Sequence, residues 1–190
     1  LYLSSSANRI HEYRRHGLLA LSVSGEVNEL SIPINLSEIS TSPAQDFIYE
    51  AVCDIEIAND KIYLSGNFTG SPQLPHKFLV SADKNTGELV AFIADLDQPV
   101  RSLAADEEKL YFAGEFTMVN GEATPLLSRI DLATNEVDAW PTPNFVEGNK
   151  INDVIVSDEN ILIAGDFLSV GGTTRNNFAA FDKNNLELSD

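Results

Sequence analysis

Apolar residues in this chain come in runs of five to seven, rich in Val, Ile, Leu, Tyr and Phe and divided by clusters of turn residues. That rhythm predicts β-strands, since runs of this length and residue type bounded by turn residues are what strands require. Between residues 51 and 93 the runs are "VCDIEI", "IYLSGNF", "KFLVSAD" and "ELVAF", separated by "AND", "TGSPQLPH" and "KNTG". Strands are therefore expected near 52–57, 62–68, 77–83 and 88–92. The first and last connections are short enough for hairpins, so the unit reads as a four-stranded antiparallel meander.

The same phrase returns. "KIYLSGNFTG", "KLYFAGEFTMVNG" and "NILIAGDFLSVGG" place Gly66, Gly114 and Gly165 at steps of 48 and 51 residues. Asp83, Asp131 and Asp182 repeat those two steps, as do Val52, Val100 and Ile151. A weaker copy opens the chain, where "LYLSS" aligns with "IYLSG" at an offset of about 61 residues. A four-stranded sheet cannot cover both of its faces, so repeated sheets must pack face to face around an axis. The fold class expected is all-β: a β-propeller of about four blades at residues 1–31, 51–93, 99–140 and 150–190. In each blade the glycine lets a neighbouring backbone approach closely. Phe68, Phe116 and Phe167, two residues on, fill the gap between blades.

Residues 100–182 carry a resemblance beyond periodicity: "LYFAGEFTMVNGEATPLLSRIDLATNEVDAWPTP" and "ILIAGDFLSVGGTTRNNFAAFDKNN". These resemble the delta-60 repeat type of β-propeller, with its G-x-F-T-x-V-N-G turn, its Asp turn and its Trp before Pro, here Trp140 and Pro141. The second unit lacks the V-N-G and the Trp, and the first has Ser5 where the glycine belongs. The resemblance implies a secreted or cell-surface bacterial propeller with no family-wide catalytic residues. A fold alone supplies no function.

Charge narrows the partners. With 12 basic against 29 acidic residues and a net charge of −17, the chain repels phosphates and anionic lipid, so nucleic acid is not expected as a partner. No apolar run is long enough for a membrane span, and membrane insertion is not expected. The start at Leu1 and a count of roughly 15 strands lead us to expect a partial propeller, an arc whose remaining blades or domains lie elsewhere in a parent protein. The single cysteine, Cys53 in "AVCDIEI", is expected to be a buried small apolar residue.

Candidate chemistry is thin. The turns "DKNTGE" and "DKNNLE" offer Asp83, Asn85 and Glu88, or Asp182, Asn184 and Glu187, as oxygen ligands for calcium. The stronger reading is an aspartate capping its own turn, because "DLATNE" keeps the turn while losing a ligand at position 133. The turns also resemble those of quinoprotein propellers, which makes a cofactor-dependent or metal-dependent propeller enzyme the alternative function. Trp140 is the only tryptophan, however, and that family repeats one per blade. The three histidines, His11, His16 and His76, have no triad context. Asn35 and Asn67 match the glycosylation acceptor pattern.

Strand order locates the expected binding surface. In a meander, the turns after strands one and three share one edge and are tight here, whereas those after strands two and four share the other and are long. Loops on a rigid scaffold are where binding residues gather. The candidates on the long-loop edge are Arg14, Arg15, Asp95, Asp97, Asn120, Glu122, Asn144, Glu147, Asn149, Arg175 and Asn176, and Arg175 and Asn120 have loop-holding as a competing role. Arg9, Arg14 and Arg15 are half of the arginines, so "HEYRRH" reads as a solvated loop or as a contact for an acidic partner. The expected function is a non-catalytic extracellular or cell-surface scaffold that binds a protein or glycan without a cofactor.

Overall fold

The computed structural model describes residues 2–4, 9–10, 13–14, 18–20, 32–34, 52–69, 77–90, 94–138, 143–146, 148 and 150–189. Among the described residues there is no helix, and every strand pairing is antiparallel. The first unit holds β1 (Tyr2–Ser4) paired with β4 (Leu18–Ala20), and between them the hairpin β2 (Arg9–Ile10) and β3 (Tyr13–Arg14). The second is a four-stranded sheet, β5 (Asp54–Ala58), β6 (Lys61–Thr69), β7 (Lys77–Asp83) and β8 (Leu89–Val90), in chain order. All four strands fall where the apolar runs predict them.

The third unit contains β9 (Val100–Ala105), β10 (Lys109–Gly114), the hairpin β11 (Met118–Val119) with β12 (Glu122–Ala123), and β13 (Leu127–Asp131). The fourth repeats it as β14 (Phe145–Val146), β15 (Lys150–Val156), β16 (Asn160–Asp166), β17 (Ser169–Val170), β18 (Thr173–Thr174) and β19 (Phe178–Asp182). The main sheets are β9-β10-β13 and β15-β16-β19. Their expected fourth strands shrink to single bridges, Ile130 with Val137 and Phe181 with Leu188. An outermost strand has a partner on one side only, so little holds it in register beyond the turn that launches it.

Those turns are built alike. Asp83 Oδ1 accepts the N–H groups of Asn85 and Thr86, both at 2.9 Å, and Asp131 and Asp182 do the same for the residues two and three positions on. Gly87, Asn135 and Leu186 then take the left-handed conformation, at φ of 73°, 60° and 62°. The aspartate repeat is thus a self-capping turn.

Side-chain alternation sends each sheet's two faces into different cores. Tyr63 and Leu79 from the second sheet join Leu103, Leu110, Phe112, Phe116 and Ile130 of the third in one buried cluster. Tyr111 and Leu127 from the third join Val154, Ile161, Ile163, Phe167 and Phe181 of the fourth in the next. The opposite face of the second sheet, with Ile62, Leu64, Phe68 and Val80, is covered by Ile32 and Ile34. Those two isoleucines belong to the stretch from Asn28 to Tyr49, which the strand order of the repeat assigns to the long-loop edge; being apolar and buried at 6% exposure, they are core instead. Phe68, Phe116 and Phe167 are all buried, as the gap-filling role requires. Cys53 is half-buried, not buried as expected: just ahead of β5 it is its chain neighbour Val52, 3% exposed, that takes the core position.

Inner strands β5, β9 and β15 lie side by side, and one repeat position stitches them together. Asp54 Oδ2 accepts the Leu103 N–H at 2.8 Å, and Ser102 Oγ accepts the Val154 N–H at 3.3 Å. Ser102 Oγ also lies 3.2 Å from Asp54 Oδ2 and 3.1 Å from Asp153 Oδ1, and its one proton serves one carboxylate at a time. Asp54, Ser102 and Asp153 stand at the repeat steps of 48 and 51 residues. The units therefore share their polar stitching as well as their cores.

Candidate functional site

Two edges of the stacked sheets carry the polar chemistry. On the long-loop edge, connections expected to be loops are paired structure. The turn Asn120-Gly121, at φ of 53° and 79°, closes β11 on β12, and Gly171-Gly172, at 58° and 82°, closes β17 on β18. Consecutive positive φ values are what a two-residue hairpin turn needs, and Asn and Gly supply them at low cost. The chain entering each sheet then pairs with that hairpin: Leu96 bridges Val119, and β14 pairs with β17.

Four of the expected site residues, Asp95, Asp97, Asn120 and Arg175, hold this arrangement. Asp97 Oδ1 accepts the N–H groups of Thr117 and Met118 at 2.9 and 3.0 Å, and its Oδ2 accepts the Thr117 hydroxyl at 2.6 Å. Burial alone would raise the Asp97 pKa; these bonds outweigh it and hold the carboxyl below the usual range. Asp95 donates its N–H to Asn120 Oδ1 at 2.7 Å, while the Asn120 N–H donates to the Asp95 carbonyl at 2.8 Å. Arg175 donates through its guanidinium to the carbonyls of Ser189 at 2.9 Å and Thr174 at 3.4 Å. The loop-holding roles of Asn120 and Arg175 are therefore present in the geometry.

Glu122, Asn144 and Asn176 are exposed on the same edge, the Asn144 carbonyl accepting the Gly171 N–H at 3.0 Å. Asp95, Asp97, Asn120 and Glu122 come together around the hairpin of the third unit, whereas Asn144, Arg175 and Asn176 gather around that of the fourth. Arg14 lies in β3, and Arg15, Glu147 and Asn149 fall outside the described residues, as do His11, His16, His76 and Trp140. Sequence reasoning missed Met118, Val146 and Leu168, large apolar side chains 41%, 42% and 46% exposed on this edge. Their signal is faint: Met118 and Val146 lie in two-residue strands and Leu168 just ahead of one, too short to leave a periodicity to read.

The tight-turn edge carries a cleft of about 800 Å³ between the third and fourth units, lined by Asp106, Lys109, Tyr111, Arg129, Asp158 and Lys183 among others. Lys183 crosses the cleft to Asp106 at 3.0 Å. Lys109 pairs with Asp131 at 2.7 Å and Asp138 at 3.0 Å, and Arg129 reaches Asp138 at 2.8 Å. Burial pushes the Asp106 carboxyl upward, but the N–H groups of Glu108 and Lys109 and the Lys183 ammonium pull it net below its ordinary value. The hydrogen bond to Lys109 and the turn N–H groups bring Asp131 down to about 2. Lys109 and Lys183 are held above the ordinary lysine value, chiefly by their bonds to Asp131 and Asp106. These four groups stay charged at neutral pH, so they supply fixed charge and not a proton-transfer pair. Among the described residues no cluster of His, Cys, Asp and Glu is arranged to hold a metal ion, and no helix is long and apolar enough to cross a membrane.

The pattern of one known family, described as a domain of unknown function (DUF5122) beta-propeller, matches residues 157–184. That stretch runs from the first turn of the fourth unit through β16 to its aspartate turn, and the match supports a β-propeller family. The chain is also similar to the bud site selection protein RAX2 of Saccharomyces cerevisiae, 32% identical over 73 residues. The similarity covers 37% of this chain and spans 6% of that protein's length.

Proposed function

We propose that this chain is a non-catalytic propeller scaffold that binds a protein or glycan partner at the cell surface through its long-loop edge. One observation carries the reading: exposed Met118, Val146 and Leu168 are presented with exposed Glu122, Asn144 and Asn176 on and beside hairpins that Asp97 and Arg175 help to hold. Apolar anchors beside polar neighbours on a preorganised backbone are the anatomy of an interface, and rigid hairpins lose little entropy on binding. The tight-turn edge presents charges already paired with one another, which makes it the weaker binding surface.

Similarity to a bud site selection protein of yeast favours a fungal setting over the bacterial one implied by the repeat phrase. The proposal requires no cofactor; in each aspartate turn one carboxylate oxygen is already engaged by the N–H groups of its own turn. The test is a glycan array together with a panel of purified yeast surface proteins, probed with the chain and with Met118→Glu and Leu168→Glu. Binding that falls at least tenfold in both variants, with unchanged melting temperature, is the expected result. Binding that survives both variants but is lost with Lys183→Ala would overturn it in favour of the cleft.

A further inference from the structure

Each sheet turns the same face toward the unit that follows it, and three repeat positions mark that face. The first is Tyr63, Tyr111 and Leu162; the second is Leu79, Leu127 and Phe178; the third is Asp54, Ser102 and Asp153. In the second and third units the face is sealed: Tyr63, Leu79 and Leu127 are 0% exposed and Tyr111 is 1% exposed. In the fourth unit Phe178 is 55% exposed and Leu162 half-buried. Beside them Ile155 is 54% exposed, where its counterpart Ala104 is 9% exposed. The sequence thus writes apolar residues at these positions although, among the described residues, no further sheet packs over them.

The polar stitching continues onto this face as well. At both joints, the residue at the third position accepts the N–H one place further along the inner strand of the next unit: Asp54 from Leu103, and Ser102 from Val154. Asp153 holds that position in the fourth unit, is exposed, and meets Ser102 behind it at 3.1 Å. A carboxylate there is preset for an incoming backbone N–H.

We propose that the face of Ile155, Leu162 and Phe178, with Asp153 at its inner edge, is the docking surface for a further blade of this same repeat, following in the same polypeptide. At both observed joints the face is covered by the unit next in the chain, which brings its inner-strand N–H and the apolar face of its second strand, Leu110 and Phe112 or Ile161 and Ile163. A second copy of the chain is the poorer occupant. Among the described residues that opposite face is already covered in the second, third and fourth sheets, by Ile32 and Ile34 in the first case and by the preceding sheet in the others.

The test compares the 190-residue chain with the same chain extended after Asp190 by a second copy of residues 139–190, using hydroxyl-radical footprinting and sedimentation velocity. With Phe178→Ser placed in the added copy alone, so that the original peptide is read separately, the oxidation rate of the original Phe178 is expected to fall at least fivefold in the extended chain. Asp153→Ala should reverse at least half of that protection in the extended chain while changing the footprint of the 190-residue chain less than twofold. An extended chain in which Phe178 keeps its reactivity overturns the proposal, whether the added unit folds apart or not at all. A 190-residue chain that already protects Phe178 as a dimer makes the occupant a second copy and overturns it too; one that protects Phe178 as a monomer overturns it in favour of closure within the chain.

Discussion

Alanine at Gly114 would put its methyl carbon 2.3 Å from the Pro99 carbonyl oxygen and 2.8 Å from Val100 Cα. Comfortable contact begins near about 3.5 Å, so β10 must move off the start of β9 by roughly 1 Å. The obstacle is backbone and cannot rotate away. The same Pro99 carbonyl accepts the Glu115 N–H at 3.0 Å, and the shift breaks that bond. Overpacking at about 1–3 kcal/mol and a lost hydrogen bond at about 1 kcal/mol give an expected cost of about 2–4 kcal/mol for Gly114→Ala. Gly121 is the control: it needs its glycine for a φ of 79° and has nothing within 4 Å, so Gly121→Asn, which tolerates that φ, should stay within about 0.5 kcal/mol. Equilibrium urea unfolding followed by far-ultraviolet circular dichroism measures both. A Gly114→Ala protein within about 0.5 kcal/mol of the parent, at unchanged denaturant slope, would refute the close-approach argument.

Leu127→Ala should cost about 2–5 kcal/mol because the side chain is fully buried between two units, whereas Phe178→Ala at the equivalent position should cost less than about 1 kcal/mol; similar costs would contradict the face assignment. Asp97→Ala should destabilise the chain by about 1–2 kcal/mol through the two uncapped N–H groups, and heteronuclear NMR should place the largest amide shifts at Thr117 and Met118. Asp131 titrates near 2 in the folded chain against 3.8 for the free group, so its stabilising contribution is complete above about pH 4 and is lost as pH falls toward 2. Lys109→Met should move the Asp131 carboxyl midpoint, read by carbon NMR, back toward 3.8; an unmoved midpoint would mean that the lysine is not the cause.

The strands of the second unit were legible because each is a long apolar run bounded by a turn whose chemistry is local: Asn59 and Asp60 take φ of 45° and 62°, and Asp83 caps its own turn. The three phenylalanines were legible through their spacing from the glycine. Pairings such as β14 with β17 and Leu96 with Val119 were not, since two-residue strands joined over 20 residues or more leave no periodic trace. Ile32 and Ile34 were hidden by the irregular segment around them. The stitch of Asp54, Ser102 and Asp153 was missed for another reason: the repeat conserves a hydrogen-bonding role across two residue types, and only laying the steps of 48 and 51 over polar positions would have found it. Among the site residues, Asp97 and Asn120 stood out as polar, yet polarity alone does not separate a side chain that binds a partner from one that holds a loop.

That repeated sheets stack with their inner strands side by side is the claim on which the faces, the edges and the docking surface all depend. A double-mutant cycle between Asp54 and Ser102, 48 residues apart in sequence and 3.2 Å apart at Oδ2 and Oγ, measures it most directly. Asp54→Ala, Ser102→Ala and the double variant are to be compared by urea unfolding. Stacked inner strands predict a coupling of about 0.5–1 kcal/mol, because the two side chains share one hydrogen-bond network. Additivity within about 0.2 kcal/mol would place the two residues in separate, uncoupled surroundings and contradict the stacking.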